Sequence, residues 1–111
     1  MSKNPTIYIG HILDEIEFIK ENLESVSAAQ FQNDETLKRA VVRSLEIIGE
    51  ATKKLPDEFR QDHDQIPWRQ MAGMRDVLIH DYFGVDYDIV WDVVTDQIPE
   101  LKRQLSGPDM P

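Results

Sequence analysis

Apolar positions recur at helical spacing along the whole chain. Between Thr6 and about Val26, the residues Ile9, Ile12, Leu13, Ile16, Ile19 and Leu23 follow one another three or four apart, with Asp14, Glu17 and Glu21 outside the stripe. That pattern predicts an amphipathic helix. Ser25 to Asn33 is small and polar and reads as a connection. Asn33 or Asp34 can cap the next helix, because a short side-chain oxygen accepts from its free N–H groups. In that helix Leu37, Ala40, Val41, Ser44, Leu45, Ile48, Ala51, Thr52 and Leu55 share one sector. Pro56 stops it, and Lys53 and Lys54 suit its negative end.

Pro56 to Ile66 is mostly charged, with room for one short helical turn. Pro67 suits a first helical position, so a third helix is predicted from there to about Tyr82, broken by Gly84. Asp86 can cap a fourth helix carrying Ile89, Val90, Val93 and Val94. Pro99 kinks that helix or restarts it as a short fifth one holding Leu101 and Leu105. The tail from Ser106 to Pro111 is expected to fray. There are no repeats and no convincing strand. Val85 to Val94 has β-branched residues, but its three-four spacing and two Asp residues favour helix. The reading is all-α: an up-down bundle of four to five helices, one domain over 1–105 and a flexible tail over 106–111.

Composition narrows the function. A chain of 111 residues holds one domain and a modest core. Twelve Lys plus Arg against twenty-one Asp plus Glu leave a net charge of −9. That disfavours non-specific binding to nucleic acid or anionic membranes, which needs cationic side chains. Cysteine is absent, which removes disulfides, zinc-thiolate sites and cysteine nucleophiles. No apolar run approaches the roughly 20 residues that span a bilayer, and the N-terminus has no apolar signal core. A cytoplasmic protein without a membrane segment is expected.

The segment from Met71 to Tyr82 carries the candidate chemistry. On a wheel of about 100° per residue with Arg75 at zero, Trp68 lies at about 20°, Ile79 at about 40°, Tyr82 at about −20° and Met71 at about −40°. Arg75 then sits inside an apolar sector, where a charge is costly unless it is paired or faces solvent. Its stem could pack while its head pairs with an acid from another helix; otherwise it is an anion-binding guanidinium in a cleft. Asp76 and His80 are four apart and share a face. The carboxylate could orient the imidazole, or the two form an ordinary surface pair. Arg75 and His80 are about 140° apart on an ideal helix. They converge only at a distorted helix end or across a two-fold dimer.

The run Arg75-Asp-Val-Leu-Ile-His80-Asp-Tyr82 fits R-x4-H-x-Y, and in this it resembles the HepT-like group of HEPN-domain toxins. Ile48-Gly-Glu-Ala51, Ile66-Pro-Trp68, Met71-Ala-Gly-Met-Arg75, the run from Leu78 to Val85 and Ile89-Val-Trp-Asp-Val-Val94 resemble that group in order and spacing. The resemblance covers roughly residues 6 to 105. It implies a HEPN-like bundle that forms a homodimer, or a higher oligomer, with an RNA-cleaving site at the interface and no need of a metal or cofactor. It also implies a toxin component of a toxin–antitoxin system. His80 would be the general acid/base. Arg75 would hold the scissile phosphate through its guanidinium fork, and Asp76 would orient one of these. Tyr82 would be the position to which a partner MNT-type nucleotidyltransferase antitoxin transfers AMP from ATP. That adds bulk and negative charge beside the site.

The charge of −9 sits uneasily with RNA binding, so a small positive cleft around Arg75 and Arg69 on an otherwise acidic dimer is expected. The rival reading is a non-catalytic helical module that binds a nucleotidyltransferase or a nucleotide. Elsewhere, Asp62-His63-Asp64 lacks the spacing of a metal site and reads as a solvated loop. His11 and Glu15 read as a surface pair. Trp68 and Trp91 read as core or interface anchors rather than base-stacking platforms.

Overall fold

The fold is built on two long helices laid side by side. A computed structural model describes residues 4–78, 84–108 and 110–111. Helix α1 (Pro5–Leu23) starts where the Asn4 side chain accepts from the Thr6 N–H at 3.0 Å. Its stripe of Ile9, Ile12, Ile16 and Ile19 is fully buried. Helix α3 (Glu35–Lys53) is capped by Asp34, which accepts from the Leu37 N–H at 3.0 Å. It packs Val41, Leu45 and Ile48 along α1. Each such side chain contributes roughly 1.5–3 kcal/mol by leaving water. Buried Thr52 donates its hydroxyl to the Ile48 carbonyl at 2.7 Å, so its burial leaves no polar atom unpaired.

The segment expected to be a plain connection contains a helix, α2 (Ala28–Gln32). Its cause is a capping box: the Gln30 N–H donates to the Ser27 hydroxyl, and the Ser27 N–H to the Gln30 side chain, at 3.1 and 2.8 Å. Phe31 then anchors it in the core, beside the Tyr87 and Trp91 rings. Lys38 is buried at the same junction. Its ammonium meets Glu35 and the Gln32 carbonyl and lies 4.4 Å from the Tyr87 ring centre, which offsets its loss of hydration.

The short helical turn expected after Pro56 is α4 (Asp57–Asp62). The predicted third helix is two pieces, α5 (Trp68–Ala72) and α6 (Met74–Leu78), broken at Gly73; residues 79–82 of that prediction lie outside the described residues. Close contact with α3 accompanies the break. A Cβ on Gly49 of α3 would lie 3.2 Å from the Met71 carbonyl, so the two backbones meet where no side chain intervenes.

Gly84 has φ +91°, a conformation that favours glycine. Asp86 caps α7 (Tyr87–Asp92) by accepting from the Asp88 and Ile89 N–H groups at 3.0 and 3.3 Å. The expected restart at Pro99 is α8, which buries Leu101 and Leu105, though the chain enters it through a π-turn rather than a break. The helix widens into a π-turn over Val93–Gln97, in which the Ile98 N–H reaches the Val93 carbonyl, and it continues as α8 (Ile98–Leu105). Pro99 has no N–H, and its ring crowds the Thr95 carbonyl, so the α pattern cannot pass through unchanged.

One contiguous core runs from Ile9 to Leu105, and Met110 of the tail packs against it. The protein is all-α, with no β-strand among the described residues. No helix among them is long and apolar enough to cross a membrane.

Candidate active site

Helix α6 buries Met74 and Leu78, four residues apart, and turns Arg75 and Asp76 outward. Of the apolar sector expected around Arg75, Trp68 and Met71 do not share its helix, and Ile79 and Tyr82 lie outside the described residues. Trp68 and Met71 belong to α5, and the break at Gly73 resets the phase of the wheel. The Arg75 side chain is 65% exposed, and its Nε lies 3.9 Å from Oε2 of Glu46 on α3. The head of Arg75 thus meets an acid from another helix, at a distance and exposure where such a pair is worth at most about 1 kcal/mol. Nothing in this pairing prevents the guanidinium fork from taking a phosphate instead. Asp76 is exposed, and its N–H closes the first turn on the Gly73 carbonyl at 3.0 Å.

Past α6 the described chain closes on itself. The Asp86 N–H donates to the Leu78 carbonyl at 2.9 Å, which joins the start of α7 to the end of α6. His80 and Tyr82 lie outside the described residues, and with them the expected pairing of Asp76 with His80.

The remaining candidates have structural partners. Trp68 is buried, and its indole N–H donates to the Arg60 and His63 carbonyls at 3.1 and 2.9 Å, tying α4 to α5. Trp91 is half-buried, with its ring centre 5.3 Å from that of Phe31. His63 is half-buried rather than in a solvated loop: its Nδ1 lies 3.0 Å from the Phe59 carbonyl and its ring 4.4 Å from the Phe59 ring. Asp62 and Asp64, on either side, are exposed. The ring of His11 meets Tyr8 edge-on at 6.3 Å, and no ion pair joins it to Glu15 among the described residues. On α8, a hydrogen bond from Arg103 holds the Glu100 carboxyl below its usual range and keeps Arg103 charged.

The family model described as Ribonuclease HepT-like matches residues 12–107. The chain belongs to the HepT-like ribonuclease family. A relative from Caldanaerobacter subterraneus subsp. tengcongensis, named "Putative RNase TTE0752", is 53% identical over 103 residues, covering 93% of this chain and 92% of its own. "Probable ribonuclease HepT" of Thermococcus cleftensis is 45% identical over 102 residues, covering 92% and 93%. "Gamma-glutamylcyclotransferase and putative RNase MJ0434" of Methanocaldococcus jannaschii is 47% identical over 105 residues, which are 95% of this chain but 47% of that protein. No solved structure matches the chain. The matched region of this HepT-like chain holds the whole run from Arg75 to Tyr82. It also holds Glu46, which no spacing singled out, because it is one polar residue among several on the outer face of α3.

Proposed function

We propose that this HepT-like protein is a metal-independent endoribonuclease and the toxin of a toxin–antitoxin pair. The observation that carries the reading is the placement of Arg75: an exposed, loosely held guanidinium on α6, which the sequence puts in the R-x4-H-x-Y register with His80 and Tyr82. The RNase names of its relatives support RNA as the substrate class.

In this reading the ribose 2′-OH attacks the adjacent phosphorus. One His80 takes the hydroxyl proton. The P–O5′ bond breaks, and a second His80, from the partner copy of a two-fold dimer, gives a proton to the leaving 5′ oxygen. The products are a 2′,3′-cyclic phosphate and a 5′-OH. Arg75 binds the non-bridging oxygens and offsets the charge that builds on them. Asp76 orients one of these two groups. The working unit is the domain 1–105, acting in the cytoplasm, with 106–111 as an appendage.

Tyr82 is the control point. Its phenolic oxygen attacks the α-phosphate of ATP on an MNT-type nucleotidyltransferase antitoxin, and pyrophosphate leaves. The attached AMP places a phosphodiester and a base beside Arg75, where an RNA phosphate would otherwise bind.

The test is cleavage of total or transfer RNA in EDTA by the purified chain and by His80→Ala, after intact mass has excluded AMP on Tyr82. Cyclic-phosphate ends that vanish in the variant support the reading. No cleavage, or equal cleavage by the variant, overturns it in favour of a non-catalytic module for the nucleotidyltransferase.

A further inference from the structure

An acidic protein that handles RNA must concentrate its free cations. Most described cations here are engaged: Lys38 with Glu35, Lys53 with Glu50, Arg60 with Asp57, Arg75 with Glu46, Lys102 with Glu17 and Arg103 with Glu100. Among the described residues, Lys20, Arg39, Arg43, Lys54 and Arg69 enter no ion pair. Arg39 and Arg43 are on α3 and Lys54 is its C-cap, spaced so that all three fall on one stripe.

Two members of that stripe, Arg43 and Lys54, border a small cleft between α1 and α3. They line it from one side, and Tyr8 and His11 from the other. Ile47 gives it an apolar floor. Its volume is about 200 Å3, below the roughly 300–1,000 Å3 of a site for a whole drug-sized ligand, and suited to a single planar ring. Glu50 also lines it, but its carboxylate lies 3.4 Å from the Lys53 ammonium. Tyr8 is half-buried and perpendicular to His11, at 88°, so its ring is braced. Arg43 precedes Glu46, the partner of Arg75, by less than one helical turn. Arg75 and the cleft thus adjoin the same stretch of α3, through Glu46 and Arg43.

We infer that this α1–α3 cleft is a nucleotide subsite for single-stranded RNA flanking the scissile bond. Arg43 and Lys54 hold backbone phosphate, and a base stacks on Tyr8 with its edge toward His11. Cations along a groove with aromatic rings between them are the standard means of holding single strands without reading sequence. The inference rests on the ribonuclease reading for its substrate class but not for its test.

The experiment is fluorescence anisotropy with a 2′-O-methyl RNA of about 12 nucleotides, which binds but has no 2′-OH to react. The double variant Arg43→Ala/Lys54→Ala should weaken binding at least about tenfold at low salt, and the slope of log K against log salt should fall by about 1.4, near 0.7 for each lost phosphate contact. Tyr8→Leu should weaken binding about fivefold or more with the slope kept, since stacking releases no counterions. Arg43→Lys/Lys54→Arg keeps both charges and should keep the slope, and Lys20→Ala should match the wild type. Thermal melting of each variant separates lost binding from lost folding. A folded double variant that binds like the wild type overturns the subsite, as does a wild type that does not bind. If the wild type binds, the variants weaken it as stated and yet no RNA is ever cleaved, the subsite stands and the ribonuclease reading falls.

Discussion

Arg75 and Glu46 face each other across the α3–α6 contact at 3.9 Å, with the arginine 65% and the glutamate 30% exposed. The pair is long and wet, so it does not hold the fold together. Its effect is on availability, because the carboxylate competes with any phosphate for the guanidinium. Glu46→Gln should leave stability within about 0.5 kcal/mol of the wild type. It should raise kcat/KM on RNA a few-fold, most at low salt, where repulsion between carboxylate and phosphate is least screened. Cleavage kinetics over a salt series checks this; a fall in kcat/KM would make Glu46 part of the machinery rather than a competitor.

Gly49 sits where α3 meets the α5 backbone. Alanine in a helix interior ordinarily stabilises by roughly 0.5–1 kcal/mol over glycine. Here the added Cβ would lie 3.2 Å from the Met71 carbonyl and 3.6 Å from that of Ala72, both in the backbone of α5. The contact can relax only by moving a helix, so Gly49→Ala should destabilise by about 1–3 kcal/mol despite its better propensity. Urea unfolding with an unchanged m-value is the measurement.

Trp68 joins two short helices through one indole N–H. Trp68→Phe keeps most of the apolar ring and removes the donor, leaving the Arg60 and His63 carbonyls one partner short. The expected cost is about 1–3 kcal/mol. Hydrogen exchange should quicken first in α4 and the residues joining it to α5. Uniform loss of protection would mean that the ring's bulk, not its N–H, ties these elements.

The pair on α8 gives a pH signature. Arg103 holds Glu100 below its ordinary value of 4.5, so the folded chain binds fewer protons there than the unfolded one. The contribution is present above that ordinary value and is lost as pH falls through the lower folded value. Glu100→Gln should therefore be less stable than the wild type near neutrality, with the gap closing in acid. The reading is Tm against pH for both proteins. A gap that widens in acid would contradict the assigned sign.

The periodicity of apolar residues determined the long helices: α1, α3 and the stretch from Tyr87 to Leu105 bury the stripes that their spacing marks. Caps at Asp34 and Asp86 were legible for the same local reason, since a short acid before an apolar stripe has only nearby N–H groups to satisfy. The R-x4-H-x-Y run was legible as order and spacing, and the family match covers it. Other features lay in the sequence with a weaker signal. Ser27 and Gln30 spell a capping box, yet a helix of five residues buries too few positions to show a period. Pro99 announces a disturbance, but whether a helix kinks, stops or widens depends on what packs around it.

The sequence by itself thus determined the helical class, the extent of the main helices, the acidic surface and the candidate motif. All of these depend on residues close together in the chain, or on sums over it. The tertiary structure decided what lies across from what. It broke the third helix at Gly73 where α3 presses on α5, and so parted Arg75 from Trp68 and Met71 and set it opposite Glu46. It also set Tyr8 and His11 of α1 against Arg43 and Lys54 at α3. Those neighbours are tens of residues apart, and a wheel drawn on one helix holds no information about the helix that meets it.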